Sequence, residues 1–178
     1  MNPLPSWNDG PAKEAILQFV ANVTDEGNKD YVPPGRRVAA FDNDGTLWCE
    51  YPMQTQVFFA FAQMAHMVEK DPELKTRQPY KAFLAHDTET IQTLGKKAVF
   101  EFAFATHAGL TVDEFESLAR GWFETARNPR LDRLFVKCTY RPQIELLDYL
   151  RANGFKLFIV SGGGIDLIRA FAESAYGI

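Results

Sequence analysis

Apolar side chains recur every three to four positions along much of this chain, the spacing that places them on one face of a helix. The pattern predicts helices over residues 11–23, 53–68, 78–86, 88–108, 111–127, 140–152 and 165–175. Two short runs, Val38–Phe41 and Phe155–Val160, are instead almost continuously apolar, which is typical of strands buried in a parallel sheet. Strands and helices in this order predict an α/β fold.

The order of these segments also predicts the domain organisation. A long helix-rich stretch separates the two segments that contain the strands. We therefore expect residues 1–50 and 135–178 to form one α/β core, and residues 51–134 to form a helical cap inserted into it. Thr111-Val112-Asp113-Glu114 is a capping box that starts one of the inserted helices.

Composition narrows the class of protein. The 178 residues are 46% apolar and 24% charged, enough for one ordinary hydrophobic core. A net charge of −4 gives no electrostatic reason to expect a nucleic acid or an anionic membrane as partner. The two cysteines, Cys49 and Cys138, form no metal-binding or disulfide pattern, and residues 1–10 lack the features of a signal peptide. We expect a cytoplasmic protein that neither binds nor crosses a membrane.

The first strand ends in acidic residues. Asp42 and Asp44 follow it directly, at the end of the strand where open α/β sheets place their sites. Two neighbouring carboxylates repel one another, and a hard cation such as Mg²⁺ neutralises them with the oxygen ligands that it prefers. The alternative is a turn that happens to be acidic, because Asp, Asn and Gly are common in turns.

The second strand ends in a hydroxyl and three glycines. Ser161-Gly162-Gly163-Gly164 opens the last predicted helix, where backbone N–H groups and a serine hydroxyl can hold a phosphoryl group. Taken alone, this stretch could equally be a flexible turn. Paired with Asp42, it predicts two adjacent strands whose carboxyl ends meet at one crevice.

Both stretches resemble a known family. Asp42-Asn43-Asp44-Gly45-Thr46 after an apolar strand, and Phe158–Gly164, resemble the first two motifs of the haloacid dehalogenase-like (HAD) phosphohydrolases. Residues 136–164 look like the phosphoserine phosphatase-like branch of that family. The resemblance implies a partial Rossmann-like parallel sheet with an inserted helical cap, and a small phosphorylated molecule as substrate.

The resemblance also implies roles for the acidic residues. Asp42 would attack phosphorus and form an aspartyl-phosphate. Asp44 would protonate the leaving oxygen and then activate water, which favours phosphate esters over haloacids as substrates. Mg²⁺ would be the cofactor, bound by the Asp42 carboxylate and the backbone carbonyl of Asp44.

Further residues receive roles in the same way. Ser161 would hold a phosphoryl oxygen together with backbone amides near Gly45 and Gly162, and Thr46 would brace the loop. Glu50 could contact a substrate amine, or it could be a solvated loop charge. In the cap, some cationic side chains could meet anionic substrate groups, although surface positions are the simpler interpretation: His86, His107, Arg127, Arg130 and Arg133.

Two later motifs of the family find no match. No lysine follows Ser161, and the acids beyond it, Asp166 and Glu173, fall within a predicted helix. Three explanations are open: a fragment of a longer enzyme, a natural short form completed by a second subunit, or a non-catalytic remnant. Lys137, Lys156 or a partner's lysine could replace the missing one. With so few core strands, an apolar edge would be exposed, so we expect a homodimer or higher oligomer that covers it.

These observations leave three functions. The first is a Mg²⁺-dependent phosphomonoesterase that works through Asp42. The second is a catalytically silent domain that oligomerises or binds phosphate or metal. The third is a phosphotransferase, which would use the same residues and differ only in the acceptor.

Overall fold

The computed structural model describes residues 2–105 and 108–178, with the side chains of 96, 99, 100 and 103 excepted. In these residues seven α-helices occupy Pro11–Thr24 (α1), Thr55–Lys70 (α2), Tyr80–Leu84 (α3), Thr88–Ala105 (α4), Val112–Thr125 (α5), Arg141–Ala152 (α6) and Ile165–Tyr176 (α7). Four strands occupy Val38–Phe41 (β1), Arg127–Asn128 (β2), Arg133–Leu134 (β3) and Lys156–Ile159 (β4). Single 3₁₀ turns lie at Pro34–Arg36, Pro72–Lys75 and Phe135–Lys137.

The helices confirm the periodicity of the sequence. The capping box of α5 forms as predicted, with the Thr111 hydroxyl accepting from the backbone of Glu114 and the Glu114 carboxylate accepting in return. The predicted helix 88–108 differs, because Gly95 has a φ of 72° and divides α4 at a kink. The observed helix ends at Ala105, the predicted last residue 108 lies in a turn, and residues 106–107 lie outside the described residues. No helix in the described part of the chain is long and apolar enough to cross a membrane.

The two predicted strands are neighbours in a parallel sheet. β1 pairs with β4 from Val38 opposite Lys156 to Phe41 opposite Ile159. The N–H of Val160 then donates to the carbonyl of Phe41 at 2.8 Å, which extends the pairing to the ends of both strands. The residues that follow the strands therefore start from the same edge of the sheet.

Helices cover one face of this sheet. The inward side chains of both strands pack against α1, α6 and α7. On the other face Val38, Phe158 and Val160 are between 49% and 66% exposed. The prediction of buried strands therefore holds for one face only, because all three helices lie on that side. An exposed apolar face of this kind is common at interfaces, and the homodimer or higher oligomer stays a prediction.

The helices between β1 and β4 pack in two directions. Side chains of α2, α3 and α4, among them Met64, Phe83 and Phe102, form a cluster of their own. By contrast, α5 packs on α7, where its Phe123 joins the stacked pair of Trp48 and Phe171, whose rings lie 4.2 Å apart. The division into a core and a cap at residues 51–134 stays a prediction, and α2–α4 are the part of that segment with a separate core.

Candidate active site

The acidic and glycine-rich stretches line one pocket at the carboxyl ends of β1 and β4. We name residues 42–50 the acidic loop and residues 161–164 the glycine loop. Asp42 is the first residue after β1. Ser161 follows Val160, whose N–H donates to the carbonyl of Phe41, so the parallel register brings Asp42 and Ser161 together. The pocket has a volume of about 640 Å³. Its wall comprises Asp42, Asp44, Glu50, Gln54, Gln56, Val57, Ala60, Phe102, Phe104, Ser161, Gly162, Gly163, Gly164, Ile165 and Asp166.

The two aspartates occupy different environments. Asp42 is exposed, and its Oδ1 accepts the backbone N–H of Asn43 at 2.7 Å. Asp44 is half-buried, and its Oδ1 accepts the indole N–H of Trp48 at 2.8 Å. Asp42 is thus accessible to a ligand, whereas Asp44 is held by a buried aromatic residue.

Burial raises the pKa of the Asp44 carboxyl above its ordinary value. The Trp48 hydrogen bond opposes this rise, while the negative charges of Asp42 and Glu50 add to it. Desolvation and neighbouring negative charges both disfavour the ionised form of a carboxyl group. Asp44 therefore keeps its proton to a higher pH than a carboxyl in water, as a proton donor requires.

The glycine loop is arranged to receive an anion. The Ser161 hydroxyl oxygen accepts the N–H of Gly163 at 3.1 Å, which leaves the hydroxyl proton to be donated elsewhere. Within the described residues, the N–H of Gly162 donates to no other group. Both lie beside the N-terminus of α7, whose partial positive charge favours an anionic ligand.

The acidic loop folds back on itself through Gly45. Gly45 has a φ of 72°, and a Cβ there would lie 2.8 Å from Oε1 of Glu50. Glycine is therefore favoured by the backbone conformation, whereas the Glu50 carboxylate is the end of a flexible side chain that can move aside. The N–H of Gly45 donates to the carbonyl of Trp48 at 3.0 Å, and that of Thr46 to the carbonyl of Asn43 at 3.2 Å. Both amides thus close the loop, and a phosphoryl oxygen would have to displace the Gly45 bond to use that N–H.

One buried hydrogen bond in the site gave no sequence signal. The hydroxyl of Tyr176, at the end of α7, donates to Oδ1 of Asn43 at 3.0 Å. Asn43 stands between the two aspartates, and both partners of this bond are buried. Their partnership depends on how α7 packs, so the sequence pattern singled out neither residue.

Replacing Tyr176 with Phe is expected to destabilise the fold by about 1–3 kcal/mol, because the buried Asn43 oxygen loses its partner. The midpoint of thermal unfolding should fall by roughly 2–4 °C for each kcal/mol. Circular dichroism during heating measures the shift. The matched control is Tyr31→Phe, whose hydroxyl makes an exposed bond to Glu26. Equal shifts in the two variants would contradict the importance of the Asn43 contact.

A second long-range contact joins the glycine loop to α2. The N–H of Gly164 donates to Oε1 of Gln56 at 2.9 Å. Gln56 lies in the first turn of α2, which also contributes Val57 and Ala60 to the pocket. This bond holds the start of α7 against the helix that forms the opposite wall.

The pocket offers oxygen donors for a divalent cation. Over residues 2–105 and 108–178, no three or more His, Cys, Asp or Glu side chains form a cluster that could hold a metal ion. Four carboxylates nevertheless line the pocket, and no Lys, Arg or His among the described residues lines it with them. Mg²⁺ is commonly bound by one or two carboxylates together with waters and substrate phosphate. Asp42 and Asp44 provide oxygen donors of the kind that fit this ion.

The cationic residues considered as substrate contacts lie outside the described pocket wall. Arg127 forms an ion pair with Asp132 at 2.8 Å, and the guanidinium of Arg130 lies 4.1 Å from the ring centre of Tyr51. The His86 ring contacts an aromatic residue of α2. His107 lies outside the described residues. The remaining candidates, Arg133, Lys137 and Lys156, are also absent from this wall.

Comparison with known proteins agrees with the geometry. The family model described as haloacid dehalogenase-like hydrolase matches residues 39–178, which include β1, β4 and both loops of the site. A search of curated proteins found no match. A family model that covers most of the chain establishes membership. This chain belongs to the haloacid dehalogenase-like hydrolases.

Proposed function

We propose that this hydrolase is a Mg²⁺-dependent phosphomonoesterase that acts through an aspartyl-phosphate on Asp42. One observation supports it above the others. The exposed Asp42 carboxylate, the half-buried Asp44 and the Ser161 hydroxyl line one pocket beside the N-terminus of a twelve-residue helix. A nucleophile, a proton donor and an anion site are the groups that transfer of a phosphoryl group requires.

In the first step an Asp42 carboxylate oxygen attacks phosphorus, and the bond from phosphorus to the leaving oxygen breaks. Asp44 gives its proton to that oxygen, so the alcohol leaves neutral. The raised pKa of Asp44 supports this role, because a carboxyl that ionises less readily holds more of the donor form near neutral pH. The Ser161 hydroxyl and the Gly162 N–H hold the phosphoryl oxygens meanwhile.

In the second step Asp44, now ionised, takes a proton from a water molecule. The oxygen of that water attacks phosphorus, the bond to Asp42 breaks, and inorganic phosphate leaves. Both aspartates return to their starting states. Asp42 and Asp44 would hold Mg²⁺, which when bound neutralises negative charge on the transferring phosphoryl group.

We also propose that α2–α4 act as the cap over this site. Val57 and Ala60 of α2, and Phe102 and Phe104 of α4, line the pocket together with the two loops. The segment has its own hydrophobic cluster, and Phe59 of α2 also joins it to α5 in the main core. A cap of this kind would exclude water from the site during transfer.

Removal of the divalent cation tests the proposal directly. Phosphate release from p-nitrophenyl phosphate should fall at least about tenfold in excess EDTA, because the carboxylates of the pocket then repel the substrate dianion. Excess Mg²⁺ should restore the rate. An unchanged rate after removal of the metal would contradict the role given to Mg²⁺.

The second candidate is a catalytically silent domain that oligomerises or binds phosphate or metal. The observation that favours it is the lack of a described cationic side chain in the pocket wall. Phosphate binding without any turnover would support this alternative. Turnover that depends on Asp42 would exclude it.

A further inference from the structure

The pocket has two chemically different walls. The acidic loop and the glycine loop form a polar wall at the strand ends. Val57 and Ala60 of α2, Phe102 and Phe104 of α4 and Ile165 of α7 form an apolar wall beside it. Two of these side chains face solvent to a large extent, since Phe104 is 70% exposed and Ile165 is 60% exposed. Large apolar residues that gather exposed around a pocket are typical of ligand sites.

Among the described residues, the charged groups in the pocket wall are all acidic. Asp42, Asp44, Glu50 and Asp166 contribute carboxyl groups to its wall. Asp166 has a cationic neighbour, but the Nη1 of Arg169 is 3.6 Å from it and its side chain is 63% exposed. Arg169 is not part of the pocket wall. Asp42 and Asp44 are assigned to catalysis and to the cation, which leaves Glu50 and Asp166 as the acidic groups that face the rest of a substrate, Asp166 with an exposed arginine as its partner.

We propose that the substrates are phosphomonoesters whose leaving group is apolar or aromatic and has no negative charge, with Phe104 as a specificity-determining residue. This inference rests on the proposed phosphomonoesterase function. The phosphoryl group lies at the polar wall, and the leaving group extends along the apolar one. A carboxylate or second phosphate there would meet like charges with no described cation in the pocket wall, which disfavours it.

Two substrates that differ by one carboxylate test the charge argument. Phenyl phosphate should have a kcat/KM at least about tenfold higher than that of 4-carboxyphenyl phosphate, because only the second places a negative charge beyond the phosphoryl group. The ratio should shrink as ionic strength rises, since salt screens charges in an open pocket. Equal values, or a preference for the carboxylated ester, would overturn the proposal.

Two matched variants test the apolar wall. Phe104→Ala should lower kcat/KM for phenyl phosphate roughly tenfold, mainly through KM, because the ring loses an apolar contact. For glycerol 3-phosphate, whose leaving group is polar, it should change kcat/KM less than about twofold. The control is Phe19→Ala on α1, which removes a ring that is 57% exposed and lies outside the pocket wall. Equal losses for both substrates, or for both variants, would overturn the role of Phe104.

A binding measurement separates this inference from the proposed function. Calorimetric titration of Asp42→Asn with each aryl phosphate, in buffer with Mg²⁺, reports affinity where the nucleophile is absent. Phenyl phosphate should bind at least about tenfold more tightly than its carboxylated analogue, whether or not the wild-type chain hydrolyses either. If the variant prefers phenyl phosphate but the wild-type chain hydrolyses neither ester, the proposed phosphatase activity is contradicted and the inferred ligand preference stands. Equal affinity, or no binding of phenyl phosphate, would overturn the inference.

Discussion

An Asp42→Asn variant is expected to retain less than about a thousandth of the wild-type kcat on p-nitrophenyl phosphate. The carboxamide has nearly the shape of the carboxylate and still presents an oxygen to the N–H of Asn43, a bond of 2.7 Å in the wild type. It lacks the negative charge with which the carboxylate attacks phosphorus. The loss should therefore be chemical and leave the fold intact.

Three measurements make this test specific. Steady-state release of p-nitrophenolate gives kcat, and circular dichroism verifies that the variant is folded. Mass spectrometry of acid-quenched protein should find a phosphoryl group on the peptide that contains Asp42 in the wild type alone. The control is Asp30→Asn, an exposed loop residue whose replacement should leave kcat unchanged. A wild-type rate in Asp42→Asn would exclude this aspartate as nucleophile.

The second large effect is expected from Asp44→Asn, and the size of the loss in rate should depend on the leaving group of the substrate. With phenyl phosphate, whose phenolate is a poor leaving group, kcat should fall by about 10²–10⁴-fold. With p-nitrophenyl phosphate the pre-steady-state burst of p-nitrophenolate should slow much less, because p-nitrophenolate leaves without needing a proton. The later attack of water still needs Asp44. The Asn oxygen can still accept the indole N–H of Trp48, so the local structure should persist.

The pH dependence should report the same residue. Because the pKa of Asp44 is raised, the wild-type carboxyl stays protonated above the range of a free carboxyl. Its activity on phenyl phosphate should fall as pH rises through that pKa, and Asp44→Asn should lack this descending limb. An equal loss in the rate of the first step with both esters would contradict a proton-donor role for Asp44.

Much of the fold followed from local sequence. β1 lies at Val38–Phe41 as predicted, and α1 begins at the predicted Pro11. A helix with one apolar stripe shows its period in neighbouring residues, and a short strand of the sheet shows a continuous apolar run. The hairpin of β2 and β3 escaped prediction, because strands of two residues are too short to show any period.

Some features of the site could also be predicted from local sequence. Adjacent residues already show that carboxylates follow one strand and that a hydroxyl with three glycines follows the other. The register of the parallel pair was a short further step, because parallel neighbours bring their carboxyl ends together. These features, together with the family, were available before any tertiary contact was known.

Only the tertiary structure decided how those groups are supported. The bond from Tyr176 to Asn43 and the bond from Gly164 to Gln56 join residues more than a hundred positions apart. The exposed outer face of the sheet and the raised pKa of Asp44 also depend on which elements pack nearby. Chain periodicity reflects only whether a position is buried. The identity of a distant partner, and the solvent that it removes, arise when helices and strands assemble.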